Sequence, residues 1–189
     1  MRWLMFALVA WVALGLETGL KPALQLGPTP IAPSFLVPVA VLVAMFAPSA
    51  VALWSCLILG VLADLTWSIP RTDSGLATLI GPYALGYLLA GQLVLTLRGV
   101  MVKKNPLTMG FLAGAAAVVV NVVVVAIITL HTALYDEPIL WSPTRQLLAR
   151  LSAALYTGAI ATLLAPFLLA VAPFMGLQTP GTRRFFRRS

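Results

Sequence analysis

Long apolar runs follow one another through almost the whole chain, with only short polar turns between them. A membrane-spanning helix needs about 20 mostly apolar residues, and each run has this length or comes close to it. The runs predict six transmembrane helices, at residues 3–20, 31–46, 49–69, 75–97, 107–130 and 147–173. We therefore expect an all-α, polytopic membrane protein: a compact six-helix bundle over residues 1–176, followed by a basic cytoplasmic tail at 177–189.

The composition excludes several classes of protein. Only 9% of the 189 residues are charged and 61% are hydrophobic, whereas a soluble domain carries about 25% charged residues. The single cysteine, Cys56, gives no disulfide framework and no metal-ligand spacing, and the single histidine, His131, has no ligand cluster beside it in the sequence. Catalytic sets and phosphate-binding loops are also missing. We predict a protein that is not an enzyme and has no cofactor.

The net charge of +7 is better explained by membrane topology than by nucleic-acid binding, because cytoplasmic segments of membrane proteins are rich in Lys and Arg. With six spans and a cytoplasmic N-terminus, the inner side holds most of the basic residues: Arg2, Arg98, Lys103, Lys104, Arg183, Arg184, Arg187 and Arg188. This distribution predicts that both termini are cytoplasmic. The tail, which has phenylalanines between its arginines, is expected to contact anionic lipid or a cytoplasmic partner.

Two acidic residues, Glu17 and Asp64, lie inside apolar runs. A carboxylate at the centre of a membrane helix costs roughly 2.5–3.5 kcal/mol on insertion scales, so each needs a partner or a wet surrounding. In the six-span arrangement both acids fall towards the outer end, as do Arg71 and Arg150. We expect intramembrane ion pairs among these four residues, with Arg150 or Arg71 as the partner of Asp64. The alternatives are an ion or proton site, or a contact with a cation of a partner protein.

Small residues recur at helical spacing in nearly every run, which lets membrane helices approach closely. In the third run this spacing produces a stripe of small or polar residues that is expected to face protein: Ala52, Cys56, Gly60, Asp64 and Ser68. The fifth run contains Gly110 and Gly114, and also Asn121, which we expect to make an interhelical hydrogen bond. These spacings predict a tightly packed bundle.

Four short segments carry a resemblance to a known family. Residues 60–65 read GVLADL, residues 75–80 read GLATLI, residues 86–88 read GYL, and residues 154–166 read ALYTGAIATLLAP. Together they resemble the centre and the last helix of the rod shape-determining protein MreD family. The residues that carry the resemblance are candidate partner-binding or packing positions: Gly60, Asp64, Gly75, Gly86, Tyr156 and Pro166.

The resemblance implies a location and a set of partners. It implies a multi-pass protein of the bacterial cytoplasmic (inner) membrane with no catalytic activity. Such a protein would be a scaffold of the cell-elongation machinery that helps maintain cell shape. It would bind MreC in the membrane and link cytoskeletal MreB to the RodA and penicillin-binding-protein synthases of peptidoglycan. The family is also similar in fold to the substrate-binding subunits of energy-coupling-factor transporters.

A second function remains open, namely a membrane subunit that binds a small, vitamin-type molecule for a transporter. Such a subunit would need several polar side chains converging in one pocket near the outer face. The candidates are few: Glu17, Asp64, Thr66, Arg71, Asn121 and Arg150. A membrane enzyme of lipid metabolism is a third possibility, and the missing catalytic set argues against it.

Overall fold

The computed structural model describes residues 1–27, 29, 31–70, 76–101, 105–135 and 142–177. Over these residues the chain forms six helices: α1 (Trp3–Gly19), α2 (Leu36–Phe46), α3 (Ser49–Thr66), α4 (Pro82–Leu97), α5 (Pro106–Tyr135) and α6 (Pro143–Val171). Between α3 and α4 two short strands, β1 (Ile69–Pro70) and β2 (Leu76–Ala77), pair antiparallel. The predicted all-α fold with six helices is confirmed.

The helices differ in length. By length and composition, three described segments could cross a membrane: Ser49–Thr66, Pro106–Leu134 and Pro143–Val171. Helices α1, α2 and α4 are apolar but shorter, with 17, 11 and 16 residues. At ~1.5 Å per residue, α2 is only about 16 Å long, roughly half the thickness of a hydrocarbon core. The six predicted spans therefore correspond to three helices of spanning length and three shorter ones.

The predicted and observed helix starts differ most at α2 and α4. Helix α2 begins at Leu36 rather than at residue 31. Pro33 disfavours helical backbone at residue 32, so the helix does not extend back to the predicted start. Helix α4 begins at Pro82 rather than at residue 75. Gly81 has a φ of 130°, and Pro82 suits the first helical turn because it has no N–H group to satisfy.

Helix α2 lies at the centre of the bundle. It contacts each of the other five helices, and 10 of its 11 residues are buried. A helix that is apolar on every side is expected in such a position. Helix α1 is peripheral, because among the described residues it packs only against α2 and α3.

Glycines mark the places where neighbouring helices approach most closely. On α5 and α6, a Cβ atom added to Gly158 would lie 3.1 Å from the carbonyl oxygen of Gly110. On α3, a Cβ atom added to Gly60 would lie 2.6 Å from the Cα atom of Ala84 in α4. Both contacts fall on small-residue positions that the sequence spacing predicts for packing.

The two ends of the described chain lie together. The backbone N–H of Arg2 donates a hydrogen bond to the carbonyl oxygen of Met175, at 2.8 Å. The start of α1 and the segment after α6 therefore share one end of the bundle. The opposite end holds the last turns of α1 and α3 and the first turns of α2 and α4, because contacts described below join them.

Candidate functional site

Asp64 is a buried carboxylate in the last turn of α3, with 1% of its surface exposed. Its Oδ2 atom accepts hydrogen bonds from the backbone N–H groups of Gly81 (2.9 Å) and Ala84 (3.0 Å). Its Oδ1 atom accepts one from the N–H of Tyr83, at 2.9 Å. The first N–H groups of a helix have no acceptor within the helix, and a negative charge there complements the helix dipole. Asp64 therefore caps α4 from a neighbouring helix.

The expected ion pair between Asp64 and Arg150 is not formed: no salt bridge joins the two described side chains. Arg71, the other expected partner, lies outside the described residues. The reason is the start of α4. Three backbone N–H groups at this helix start donate to the two oxygens of the carboxylate, so its negative charge is stabilised without a cation from the described part of the chain.

Glu17 has the same role at the start of α2. Its side chain is buried near the end of α1, and its Oε2 atom accepts hydrogen bonds from the N–H of Phe35 (2.6 Å) and the hydroxyl of Ser34 (3.1 Å). The N–H of Leu36 is a longer contact, at 3.4 Å. The Oε1 atom pairs with Lys21 Nζ at 2.9 Å. Glu17 therefore caps α2 and forms an ion pair, though with Lys21 rather than with one of the arginines.

Arg98 binds carbonyl groups at the opposite end of α2. Its Nη1 atom donates hydrogen bonds to the carbonyl oxygens of Ala44 (3.1 Å) and Ala47 (2.7 Å). A cation at a helix C-terminus complements the helix dipole, as an anion does at the N-terminus. The short central helix is thus held by Glu17 at its start and Arg98 at its end. The sequence analysis used Arg98 only as a marker of topology, and no spacing in the sequence connects it to α2.

A cavity of about 560 Å³ opens at the end of the bundle where α1 ends and α2 begins. This volume is within the range of roughly 300–1,000 Å³ that small-molecule sites occupy. Its wall includes Trp67, Tyr87 and several small apolar residues. The polar residues of the wall come from all six helices and the segments beside them: Glu17, Thr18, Lys21, Ser34, Thr66, Ser68, Tyr83, Asn121, Gln146, Arg150 and Thr157.

Arg150, in the first half of α6, is held in the cavity wall by aromatic and amide groups. Its guanidinium carbon lies 4.7 Å from the ring centre of Trp67 and 5.7 Å from that of Tyr83. Its Nη1 atom donates to the Tyr83 hydroxyl at 2.8 Å, with Asn121 Oδ1 at 3.5 Å. The Asn121 amide in turn donates to the Arg150 carbonyl oxygen at 3.1 Å. The interhelical hydrogen bond expected of Asn121 is therefore present, and it ends on α6.

The cavity gathers several residues that the sequence analysis singled out for a binding pocket. Four of the six candidates line it: Glu17, Thr66, Asn121 and Arg150. Asp64 does not line the cavity, because its oxygens are directed to the start of α4. Sequence reasoning missed the aromatic residues Trp67 and Tyr83, and their position near the ends of neighbouring runs was the available signal.

The remaining candidate residues lie elsewhere. Gly60 and Gly86 are buried in helix contacts, Gly60 against Ala84 and Gly86 against Val120, so both pack within the bundle. Gly75 lies outside the described residues. On α6, Tyr156 is half-buried and Pro166 is exposed, and neither lines the cavity.

Metal-binding side chains are not clustered in the described part of the chain, where no group of three or more His, Cys, Asp or Glu residues could hold an ion. Comparison of the chain with models of protein families, with curated proteins and with solved structures finds no match.

Proposed function

We propose that this chain is a non-catalytic scaffold of the bacterial cell-elongation machinery. It lies in the inner membrane with both termini in the cytoplasm, and it links an MreC-like membrane protein and MreB to RodA and a penicillin-binding protein. The observation that carries the proposal is the joint between α3 and α4. Two residues of the MreD-like segment form this joint: Gly60 packs against the backbone of Ala84 in α4, and Asp64 accepts a hydrogen bond from the N–H of Ala84.

The location in a membrane is supported by the three long apolar helices and by the exposed surface. Large apolar side chains face outwards on α1 and α6, with Trp11 74%, Leu155 75% and Phe167 72% exposed. Large contiguous apolar patches are rare on soluble monomers, whereas lipid tails cover them without cost. Helix α2 is too short to span a membrane by itself, so it would cross only together with the segment before it, with both inside the bundle.

A partner helix would need a surface other than the resembling residues, because Gly60, Asp64 and Gly86 are buried. We propose the outward face of the α3–α4 pair. Its large apolar side chains recur at helical spacing and are 39–62% exposed: Trp54, Ile58 and Leu65 on α3, and Leu85 and Leu89 on α4. Helices in a membrane associate through close packing rather than through the hydrophobic effect, so truncation of these side chains would weaken the contact.

The test is co-purification with the MreC-like protein of the same genome, after co-expression and extraction in detergent. The double variant Trp54→Ala with Leu85→Ala should lose most of the bound partner while its expression and thermal stability stay at the wild-type level. A matched double variant on α6, Leu155→Ala with Leu163→Ala, should retain it. Absence of co-purification with the wild-type chain would refute the scaffold, and equal loss in both variants would refute the proposed face.

A second candidate function, a small-molecule-binding subunit of a membrane transporter, is favoured by the cavity. Four of the polar residues expected in such a pocket line one volume of about 560 Å³. Extraction of the purified protein with organic solvent, followed by mass spectrometry, tests this function. A stoichiometric bound small molecule would support the transporter subunit over the scaffold.

A further inference from the structure

We propose that the cavity binds a small organic anion and that Arg150 receives its carboxylate or phosphate group. This inference deepens the second candidate function and rests on the cavity being a binding site. It is independent of whether the molecule is transported and of whether the chain is part of the cell-elongation machinery.

The first argument is the orientation of Arg150. The Trp67 ring, whose centre lies 4.7 Å from the guanidinium carbon, and the hydrogen bond to the Tyr83 hydroxyl hold the guanidinium group in place. The contacts to described residues use Nη1, and neither Nε nor Nη2 donates a hydrogen bond to another described residue. A guanidinium has five N–H donors in a fixed fork, and its free edge suits the two oxygens of a carboxylate or phosphate. Arg150 is thus oriented for an anion before one binds.

The second argument is charge. The described wall of the cavity contains two cations, Lys21 and Arg150, and one acid, Glu17. Glu17 pairs with Lys21. Arg150 has no salt bridge to any carboxylate in the described residues. Pairing with an opposite charge stabilises a half-buried cation, and an anionic ligand would supply such a charge.

The third argument is the rest of the wall. Trp67, Tyr83 and Tyr87 supply aromatic surface, and Val37 and Val120 supply apolar surface. Binding sites for small molecules combine such walls with a few polar groups that fix orientation. The ligand is therefore an anion with an apolar or aromatic body. A soluble metabolite and the headgroup of a membrane lipid both have this chemistry.

The experiment uses the full chain in nanodiscs of phosphatidylcholine. Phenyl phosphate and benzoate are titrated by calorimetry, and benzyl alcohol serves as the uncharged match. Binding of either anion, with no binding of the alcohol, supports a soluble ligand. The lipid source is tested in nanodiscs that contain phosphatidylglycerol, by native mass spectrometry of the released protein. Retention of phosphatidylglycerol supports a headgroup. If neither anion binds and no anionic lipid is retained, the proposal is overturned.

Variants assign the binding to Arg150. Arg150→Gln should raise the dissociation constant of the anion, or reduce the amount of retained lipid, by about tenfold or more, because a charged bidentate contact is lost. Arg145→Gln makes the same change at an exposed position of the same helix and should stay within about twofold, as surface charges contribute little. Equal effects in the two variants would overturn the role of Arg150.

A further variant keeps the test decisive if Arg150→Gln does not fold. Tyr83→Phe removes only the hydroxyl that holds the guanidinium, and it should weaken anion binding by a few-fold, while the uncharged alcohol still does not bind. The co-purification test on the α3–α4 face is run on the same preparations. Because that face is separate from the cavity, failure of anion binding and failure of the scaffold give different results.

Discussion

The α1–α2 and α3–α4 connections use the same device. In each pair the first helix carries an acid two residues before its end, Glu17 before Gly19 and Asp64 before Thr66. Each acid accepts N–H groups from the start of the following helix, between 17 and 20 residues later in the chain. In each pair the following helix therefore begins at the end of the bundle where the preceding helix ends, and the carboxylate holds the two helix ends together.

The two connections differ in what surrounds the acid. Asp64 is 1% exposed and both its oxygens bind backbone N–H groups. Glu17 forms an ion pair with Lys21, whose side chain is 42% exposed. Near Asp64 the backbones of α3 and α4 are in direct contact at Gly60, whereas Glu17 borders the cavity. The comparison indicates a closely packed α3–α4 joint and a looser, wetter α1–α2 joint.

The largest effect is expected from Asp64→Ala. The variant leaves three N–H groups at the start of α4 without an acceptor, at a cost of about 1–3 kcal/mol for each one that stays buried. We expect a loss of about 3 kcal/mol in the free energy of unfolding, since water can reach some of the groups. Reversible unfolding in mixed micelles, by titration with dodecyl sulfate, measures it. Asp64→Asn keeps one acceptor oxygen and should recover roughly half. A loss below about 1 kcal/mol in Asp64→Ala would contradict the capping role.

Gly60→Ala tests the backbone contact at the same joint. The new methyl group would meet the Cα atom of Ala84 at 2.6 Å, and neither backbone can yield without moving a helix. Overpacking of this kind costs about 1–3 kcal/mol, and we expect about 2 in the same unfolding measurement. The control is Gly15→Ala, which has open space and should be neutral or stabilising by up to about 1 kcal/mol, because Ala favours helix. Equal destabilisation by the two variants would contradict the close backbone contact at Gly60.

Glu17→Ala should cost less than Asp64→Ala. The start of α2 loses its acceptor at Phe35, but the site borders the cavity, so water can replace part of the carboxylate. We expect a loss of about 1–2 kcal/mol, the range of a lost helix cap. Glu17→Gln keeps an acceptor oxygen and separates the hydrogen bonds from the charge. A cost that exceeds the cost of Asp64→Ala would reverse the order of the two joints.

The smallest effect concerns the ion pair of the looser joint. Lys21→Ala should cost about 0.5 kcal/mol, as expected for a partly exposed i, i+4 pair. A double-mutant cycle with Glu17→Gln isolates the coupling energy between the two side chains. The coupling should shrink at high salt, because an exposed charge is screened. A salt-independent coupling above about 2 kcal/mol would show a buried pair instead.

Much of the fold followed from the sequence. The apolar runs predicted six helices, and the small-residue spacing predicted the contacts at Gly60 and Gly110. The starts of α2 and α4 were placed five and seven residues too early, at 31 and 75 instead of Leu36 and Pro82. Apolarity alone cannot distinguish a helix from a non-helical apolar segment, so the hydrophobic pattern misplaced both starts.

The candidate site was predicted in part. Four of the six polar residues named as candidates for a binding pocket line one cavity: Glu17, Thr66, Asn121 and Arg150. The partner of Asp64 was not predictable by pairing opposite charges. The start of a helix offers N–H groups that a count of charged residues does not include. Arg150 is likewise held by Tyr83 and Trp67, uncharged groups that charge counting ignores.

The sequence by itself determined the all-α class, the number of helices and the positions where helices can approach closely, because these depend on local hydrophobicity and side-chain size. Only the tertiary structure decided which groups satisfy the embedded charges. The connections between these helices are long enough that the sequence does not determine where the next helix begins in space. The position of that helix start decides which N–H groups contact Glu17 and Asp64. A hydrogen bond requires its donor and acceptor within about 3 Å, and this distance is set by the packing of all six helices.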